Sequence, residues 1–278
     1  KDKTRDVCQE LQDSMNLKYV YQENSGISAA KNLGIFVAIA PIVLFFDDDD
    51  IADQDLLEQH LKFHAVHPQE NIACLGYTTW HPSLDITPVM KYITDVGQFL
   101  FSYQNLTHGQ QLDFTYFWGG RTSCKRSLLV KHGIFNQDFR SIIEDIELGF
   151  RLSRFGLKVV FNKNAKSFML RPITYDQFCS RCERQGKALY LFSRLHPEPI
   201  VQDYCMIRNV EDTWQKISKD ISRVVERVHV LESSLDSQEV SEKEKPKLRE
   251  LYDLYGWSFN AFKIKGIMEA KKEEEKLD

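Results

Sequence analysis

The apolar run PIVLFF, Pro41 to Phe46, passes at once into Asp47, Asp48, Asp49 and Asp50, and this junction narrows the fold more than any other stretch of the chain. A short continuous run of β-branched and aromatic side chains is the pattern of a strand covered on both faces. Four adjacent carboxylates repel one another, and that repulsion has to be offset by a cation, by solvent or by protonation. Together they put acid at the carboxyl end of an interior strand, where ligands bind in α/β sheets. The longer apolar stretch Gly34 to Phe46 is interrupted by Pro41 and falls short of the roughly 18 residues that a membrane span requires.

The sequence around this junction alternates between helical and strand periodicity. A helix over residues 3–15 precedes the strand-like LKYVYQE; a helix over 28–38 precedes PIVLFF; a helix over 54–67 precedes the strand NIACLGY. That alternation predicts an α/β fold with a mostly parallel, Rossmann-like sheet flanked by helices. The net charge is −4, without the basic surface that releases counterions from nucleic acid, so no nucleic-acid partner is expected. Six cysteines in 278 residues are too sparse for a disulfide framework and fit a reducing, cytoplasmic setting. The pair Cys179 and Cys182 has the CxxC spacing but no second pair, and reads as ordinary helix residues.

Beyond residue 200 charged residues become nearly twice as dense. From Trp214, the residues Ile217, Ile221, Val224, Val228, Leu231 and Leu235 keep 3-4 spacing, a helix with one narrow apolar seam. A second helical stretch runs from Pro246 to Glu275, with Ser241 and Glu244 placed to cap its start. The chain therefore divides into a body over 1–200 and a charged helical hairpin over 201–278, a C-terminal appendage. Its seam suits docking on the body, self-association with a second copy, or peripheral contact with a membrane surface.

At the aspartates two readings stand. Alternate carboxylates such as Asp47 and Asp49 can converge on a hard cation, for which oxygen ligands suit Mg2+ or Mn2+. The other reading is a solvated acidic loop in which Asp50 or Asp53 caps the next helix.

Four blocks then resemble family 2 glycosyltransferases of the GT-A type, in the family's order and over about the first 195 residues. NSGISAAKNLGIFVAIAPIVLFFDDDD is similar to the segment N-x-G-x-x-x-A-R-N-x-G, apolar strand, D-x-D-D, with Asn24, Gly26, Ala30, Asn32 and Gly34 in place and Lys31 at the usual Arg position. TYFWGGRTSCKRSLLVKHGIFNQDF resembles the family's glycine-containing strand, helix and G-x-F-D turn, with Asn136 replacing the acid. IIEDIELGFRLSRFGLKVVF resembles the E-D-x-E-L-x-x-R-L run, and RCERQGKALY the helix that follows. Asp2-x-Thr4 resembles the end of the D-G-S-x-D-x-T loop, so the resemblance implies that the family's first strand and the start of that loop lie outside this sequence.

The resemblance implies transfer of a sugar, with inversion, from a nucleotide-sugar donor to a carbohydrate or glycolipid acceptor, in polysaccharide or glycoconjugate synthesis. It implies Asp49 with Asp47 or Asp48 on the metal, and Lys31, Asp48 and Arg181 on the donor. Asp145 matches the general base, which must face the acceptor hydroxyl opposite the leaving group; a helix N-terminus favours its ionised form. Trp118, Gly119, Gly120 and Glu144 are the implied sugar pocket, because glycine permits close backbone approach and an indole offers a stacking face. Trp80, His81 and Pro82 are a further candidate lining.

One departure concerns the metal. Aligning Ala165 puts Met169 where many relatives carry a metal-binding His, and a thioether is a poor ligand for Mg2+ or Mn2+. This favours, as the alternative, a non-catalytic nucleotide-sugar-binding or scaffolding protein on the same fold.

Overall fold

A computed structural model describes residues 3–235 and 245–276. The elements in order are α1 (Thr4–Gln12), α2 (Ile27–Val37), β1 (Ile42–Leu44), β2 (Asp50–Ala52), α3 (Leu56–Val66), β3 (Ile72–Trp80), α4 (Pro88–Lys91), β4 (Gln111–Leu112), β5 (Thr122–Lys125), α5 (Arg126–His132), α6 (Glu144–Ser153), β6 (Lys158–Met169), α7 (Tyr175–Leu195), α8 (Pro199–Cys205), α9 (Val210–Ile217), α10 (Ile221–Ser234) and α11 (Lys245–Glu274). The proposed caps Ser241 and Glu244, and Asp2, lie outside the described residues.

The fold is α/β, a six-stranded sheet in the order β1-β5-β3-β6-β2, with β4 added on β6. Its longest pairing, β3 with β6, is parallel and runs from Ile72 opposite Lys158 to Trp80 opposite Met169. The shorter flanking pairings are antiparallel, so the sheet is mixed. The long pairing slips register after Gly76, where a side chain would press on the Ala165 carbonyl at 2.8 Å. The strand expected at LKYVYQE does not form: residues 17–23 make no ladder with any described strand, so period-2 patterning there has no partner to act on.

The Asn24-x-Gly26 motif is a splint. Asn24 Oδ1 accepts from the Gly26 amide at 3.1 Å, and Gly26 adopts φ 91°, which frees the chain to turn into α2. Asn32, buried on α2, then clamps Phe135 in both directions: its Nδ2 donates to the Phe135 carbonyl and its Oδ1 accepts from the Phe135 amide, each at 2.9 Å. The Ile27 amide donates to the Arg140 carbonyl at 2.9 Å. The helix before PIVLFF thereby holds the loop that leads into α6.

The charged tail packs on the body. The apolar seam is not one helix: the chain turns at Ser218–Asp220, and α9 and α10 are separate. Val228, Leu231, Leu251, Tyr255 and Phe259 share one apolar cluster with Trp80, Met90, Tyr92 and Phe178. Helices α7 and α11 approach through reciprocal glycines, since a β-carbon on Gly186 would strike the Lys263 carbonyl and one on Gly266 the Glu183 carbonyl. Cys179 and Cys182 are buried on α7, where burial pushes both thiols up to about 12; they are packed thiols and not a reactive pair. No described helix is long and apolar enough to cross a membrane.

Candidate active site

The four aspartates part company. After β1 the chain turns tightly, with the Asp50 amide donating to the Asp47 carbonyl at 3.3 Å. Asp47 Oδ2 accepts from Arg121 Nη2 at 3.2 Å. Asp48 is exposed and does not line the cleft. Asp49 presents its side chain to the cleft, while its carbonyl accepts from the Leu170 amide at 2.9 Å. Asp50 turns into the sheet and accepts from Ser167 Oγ at 2.9 Å; burial raises its pKa against the pull of Arg121. Like-charge repulsion is thus relieved by an ion pair, by solvent, and by a raised carboxyl pKa at three different positions.

A cleft of about 420 Å³ opens beside this turn. Its lining includes Lys31, Asp47, Asp49, Glu144, Asp145 and Arg181, with Trp118, Gly119 and Gly120 on one wall. Asp145 Oδ2 accepts from the Gly119 amide at 2.7 Å, and its Oδ1 from the Ile146 amide at 2.8 Å. Both oxygens are therefore held by backbone donors, one of them at the N-terminus of α6, which fixes the orientation of the carboxylate. Gly119 and Gly120 are small because the carboxylates stand against them. A β-carbon on Gly119 would lie 3.1 Å from Asp145 Cβ, and one on Gly120 would collide with the Asp47 carboxylate.

Ile143, which caps α6, sits in the left-handed region at φ 69°. For a β-branched residue this is a strained conformation, of order 1–3 kcal/mol, held by its surroundings. Ile143 is buried in an apolar cluster with Phe114, Phe139, Ile146 and Phe192, and that packing maintains the turn which aims Glu144 and Asp145 into the cleft.

Lys31 Nζ is 2.9 Å from Glu144 Oε1. Burial, with Asp145 beside it, raises the Glu144 pKa, and Lys31 opposes the rise. Lys31 is thus engaged by a carboxylate. Arg181, on α7, makes no hydrogen bond or ion pair among the described residues and is the cation free to meet a ligand. Arg184, three residues on, is exposed. Trp80 and His81 do not line the cleft: the Trp80 indole packs in the core under the tail helices, and His81 Nδ1 bonds Ser83 Oγ at 2.7 Å.

Arg121 was not singled out by the sequence. Its guanidinium lies 4.3 Å from the Phe101 ring centre and ion-pairs Asp47. The available signal was a charged residue between Gly119-Gly120 and the short buried strand β5. Tyr204 also lines the cleft, and nothing in its local pattern marks it.

Two hard oxygen ligands, Asp47 and Asp49, face the cleft, and Met169 lines it with a thioether. No group of three or more His, Cys, Asp or Glu among the described residues is arranged to hold a metal. This donor set fits a cation held by one or two carboxylates plus phosphate oxygens, the usual manner of Mg2+, and not an all-protein cage.

The strand that carries the acidic turn, expected in the interior, is the sheet's edge: among the described residues β1 pairs with β5 alone and is half-buried. An α/β sheet with an acidic turn after this edge strand and a second carboxylate across the same cleft is the arrangement of a GT-A-type fold. Residues 1–133 match the model of glycosyl transferase family 2. The chain is 27% identical over 186 residues to the validoxylamine A glucosyltransferase of Streptomyces hygroscopicus subsp. jinggangensis, covering 59% of this chain and 44% of that one. It is 24% identical over 185 residues to the chondroitin synthase of Escherichia coli, covering 56% of this chain and 27% of that one. The chain thus spans less than half the length of these curated relatives. In fold it is similar to the mannosyltransferase PcManGT from Pyrobaculum calidifontis in complex with GDP-Man and Mn2+, with a TM-score of 0.54 and 13% identity, over 96% of this chain and 75% of that one.

Proposed function

We propose that this chain is the catalytic part of a metal-assisted, inverting glycosyltransferase acting on a nucleotide diphosphate sugar and a hydroxyl of a carbohydrate or glycolipid acceptor. The observation that carries the reading is the pair of carboxylate groups seated on consecutive glycines, Asp145 against Gly119 and Asp47 against Gly120. Asp145 takes the proton of the acceptor hydroxyl. The freed oxygen forms its bond to the anomeric carbon from the face opposite the leaving group. The bond from that carbon to the diphosphate oxygen breaks, and the nucleoside diphosphate leaves with the electron pair. Asp49 and Asp47 would hold Mn2+ or Mg2+, which when bound would supply positive charge to the leaving diphosphate. Arg181 adds a second cation on the donor side, and the Lys31–Glu144 pair fixes the base of the cleft. The Mn2+ and GDP-Man of the archaeal mannosyltransferase support the choice of metal and donor class.

The test is release of nucleoside diphosphate from a panel of nucleotide sugars with Mn2+ and pyranoside acceptors. Asp145→Asn is expected to reduce release by about 10³-fold or more, the range for loss of a positioned base, and chelation to abolish it. Failure of every donor to turn over in the full-length protein overturns the reading.

A further inference from the structure

We propose that Tyr204 is a positioning residue for the acceptor, its hydroxyl donating a hydrogen bond to the incoming sugar beside Asp145, on a wall that Trp118 and Tyr116 complete with their ring faces. The inference rests on the transferase reading and specifies its acceptor side.

Tyr204 comes from α8, well beyond the segment that matches the family model. It lines the cleft that holds Asp145. Its ring is fixed between Phe114 and Phe192, with centroids 6.4 and 6.3 Å away at steep angles. Helix α8 is itself anchored independently of any ligand. Val201 and Cys205 are fully buried beneath it. Gln202 Nε2 donates to the carbonyls of Ser193 and His196 at 2.8 and 3.0 Å. The ring is therefore held in place, yet the hydroxyl has no hydrogen-bond partner among the described residues.

Tyr204 is half-buried on the wall of the cleft, so its hydroxyl is left to pair with solvent or with a ligand. Burial, and then the nearby Asp145 carboxylate, hold its pKa far above the ordinary value, so the phenol keeps its proton and acts as a donor. The neighbouring aromatics are in the opposite situation. The Trp118 indole N–H is already committed to the Thr115 carbonyl at 2.8 Å, which leaves Trp118 only its ring faces to offer. Tyr116 lies against it, 5.3 Å between centroids and 31° apart in plane. A pyranose ring has both an apolar face for stacking and hydroxyls for hydrogen bonds, and this wall supplies both.

The experiment compares wild type with Tyr204→Phe, which keeps the ring and its packing; an unchanged Tm checks that packing. With p-nitrophenyl pyranosides (gluco, galacto, manno and N-acetylglucosamine) as acceptors and the nucleotide-sugar panel as donors, the acceptor KM is expected to rise about fivefold, the effect of one neutral hydrogen bond. The donor KM is expected to stay within twofold. An unchanged acceptor KM, or a donor KM that rises in step, overturns the assignment. Saturation-transfer NMR with the same pyranosides separates the two failures. Weaker binding by Tyr204→Phe in a protein that turns over no donor keeps the subsite and overturns the transferase. Equal binding by both proteins, or no binding by either, overturns the subsite.

Discussion

Gly119 donates its amide to Asp145 Oδ2 at 2.7 Å across 26 positions of sequence, and its missing side chain leaves the space in which Lys31 Nζ and the Asp145 side chain stand. The carboxylate is therefore oriented by backbone, which does not reorganise as charge moves during a reaction.

Replacing Gly119 by alanine would place a β-carbon 3.1 Å from Asp145 Cβ and 2.5 Å from the flexible Lys31 tip. Turnover is expected to fall by at least tenfold, with a Tm change of only a few degrees, because the lysine yields while the carboxylate shifts. Steady-state kinetics and a thermal melt on the same sample check both halves.

The buried Lys31–Glu144 pair should betray itself through pH. Lys31→Met leaves Glu144 uncompensated, at a cost of about 3 kcal/mol near pH 7.5. A carboxyl whose folded pKa is raised is stabilising below its unfolded value and loses that stability as pH rises through the folded one. The deficit should therefore close as the pH falls toward 4.5. Urea unfolding at the two pH values measures it, and Lys31→Met with Glu144→Gln should recover much of the loss at pH 7.5.

His60 and His64, one turn apart on α3, both bond Ser123 Oγ at 2.8 Å. The remaining ring nitrogens, His60 Nε2 and His64 Nδ1, are buried without a partner, so charging either ring would bury an unpaired N–H. Burial lowers each pKa from 6.5 to about 4. Their contribution is complete above pH 6.5 and is lost as the pH falls toward 4. The Tm should drop across that window, and His64→Gln should flatten the slope.

Two glycines should respond with opposite sign. Gly186→Ala sets a β-carbon against the Lys263 carbonyl where α7 meets α11, and a loss of about 1–3 kcal/mol is expected. Gly34, inside α2, has nothing within 4 Å of such an atom, so Gly34→Ala should gain about 0.5–1 kcal/mol from helix propensity. Chemical denaturation of the two variants compares them directly.

Helix boundaries were legible to within a residue or two where periodicity is strong: the stretch read as 28–38 forms Ile27–Val37, and 54–67 forms Leu56–Val66. The seam from Trp214 to Leu235 read as one helix because spacing survives a turn; the break at Ser218–Asp220 leaves the 3-4 rhythm intact. LKYVYQE reads as a strand from its alternation, but a strand exists only where another offers its hydrogen bonds. Lys31, Asp47, Asp49, Trp118, Glu144, Asp145 and Arg181 stood out by resemblance, and all line one cleft. Asp48 stood out equally and points to solvent, since a tight turn sends adjacent side chains in different directions.

Periodicity, turn chemistry and short motifs are properties of neighbouring residues, and they were enough to indicate an α/β body, an acidic strand end and a helical tail. Which distant groups meet is another matter. The Arg121–Asp47 pair, the Gly119 amide on Asp145, Tyr204 brought in on α8, and the shared serine of His60 and His64 each join segments whose separation in sequence carries no local signal. Only the packed chain sets those distances, because burial and hydrogen-bond satisfaction are decided over all the neighbours at once.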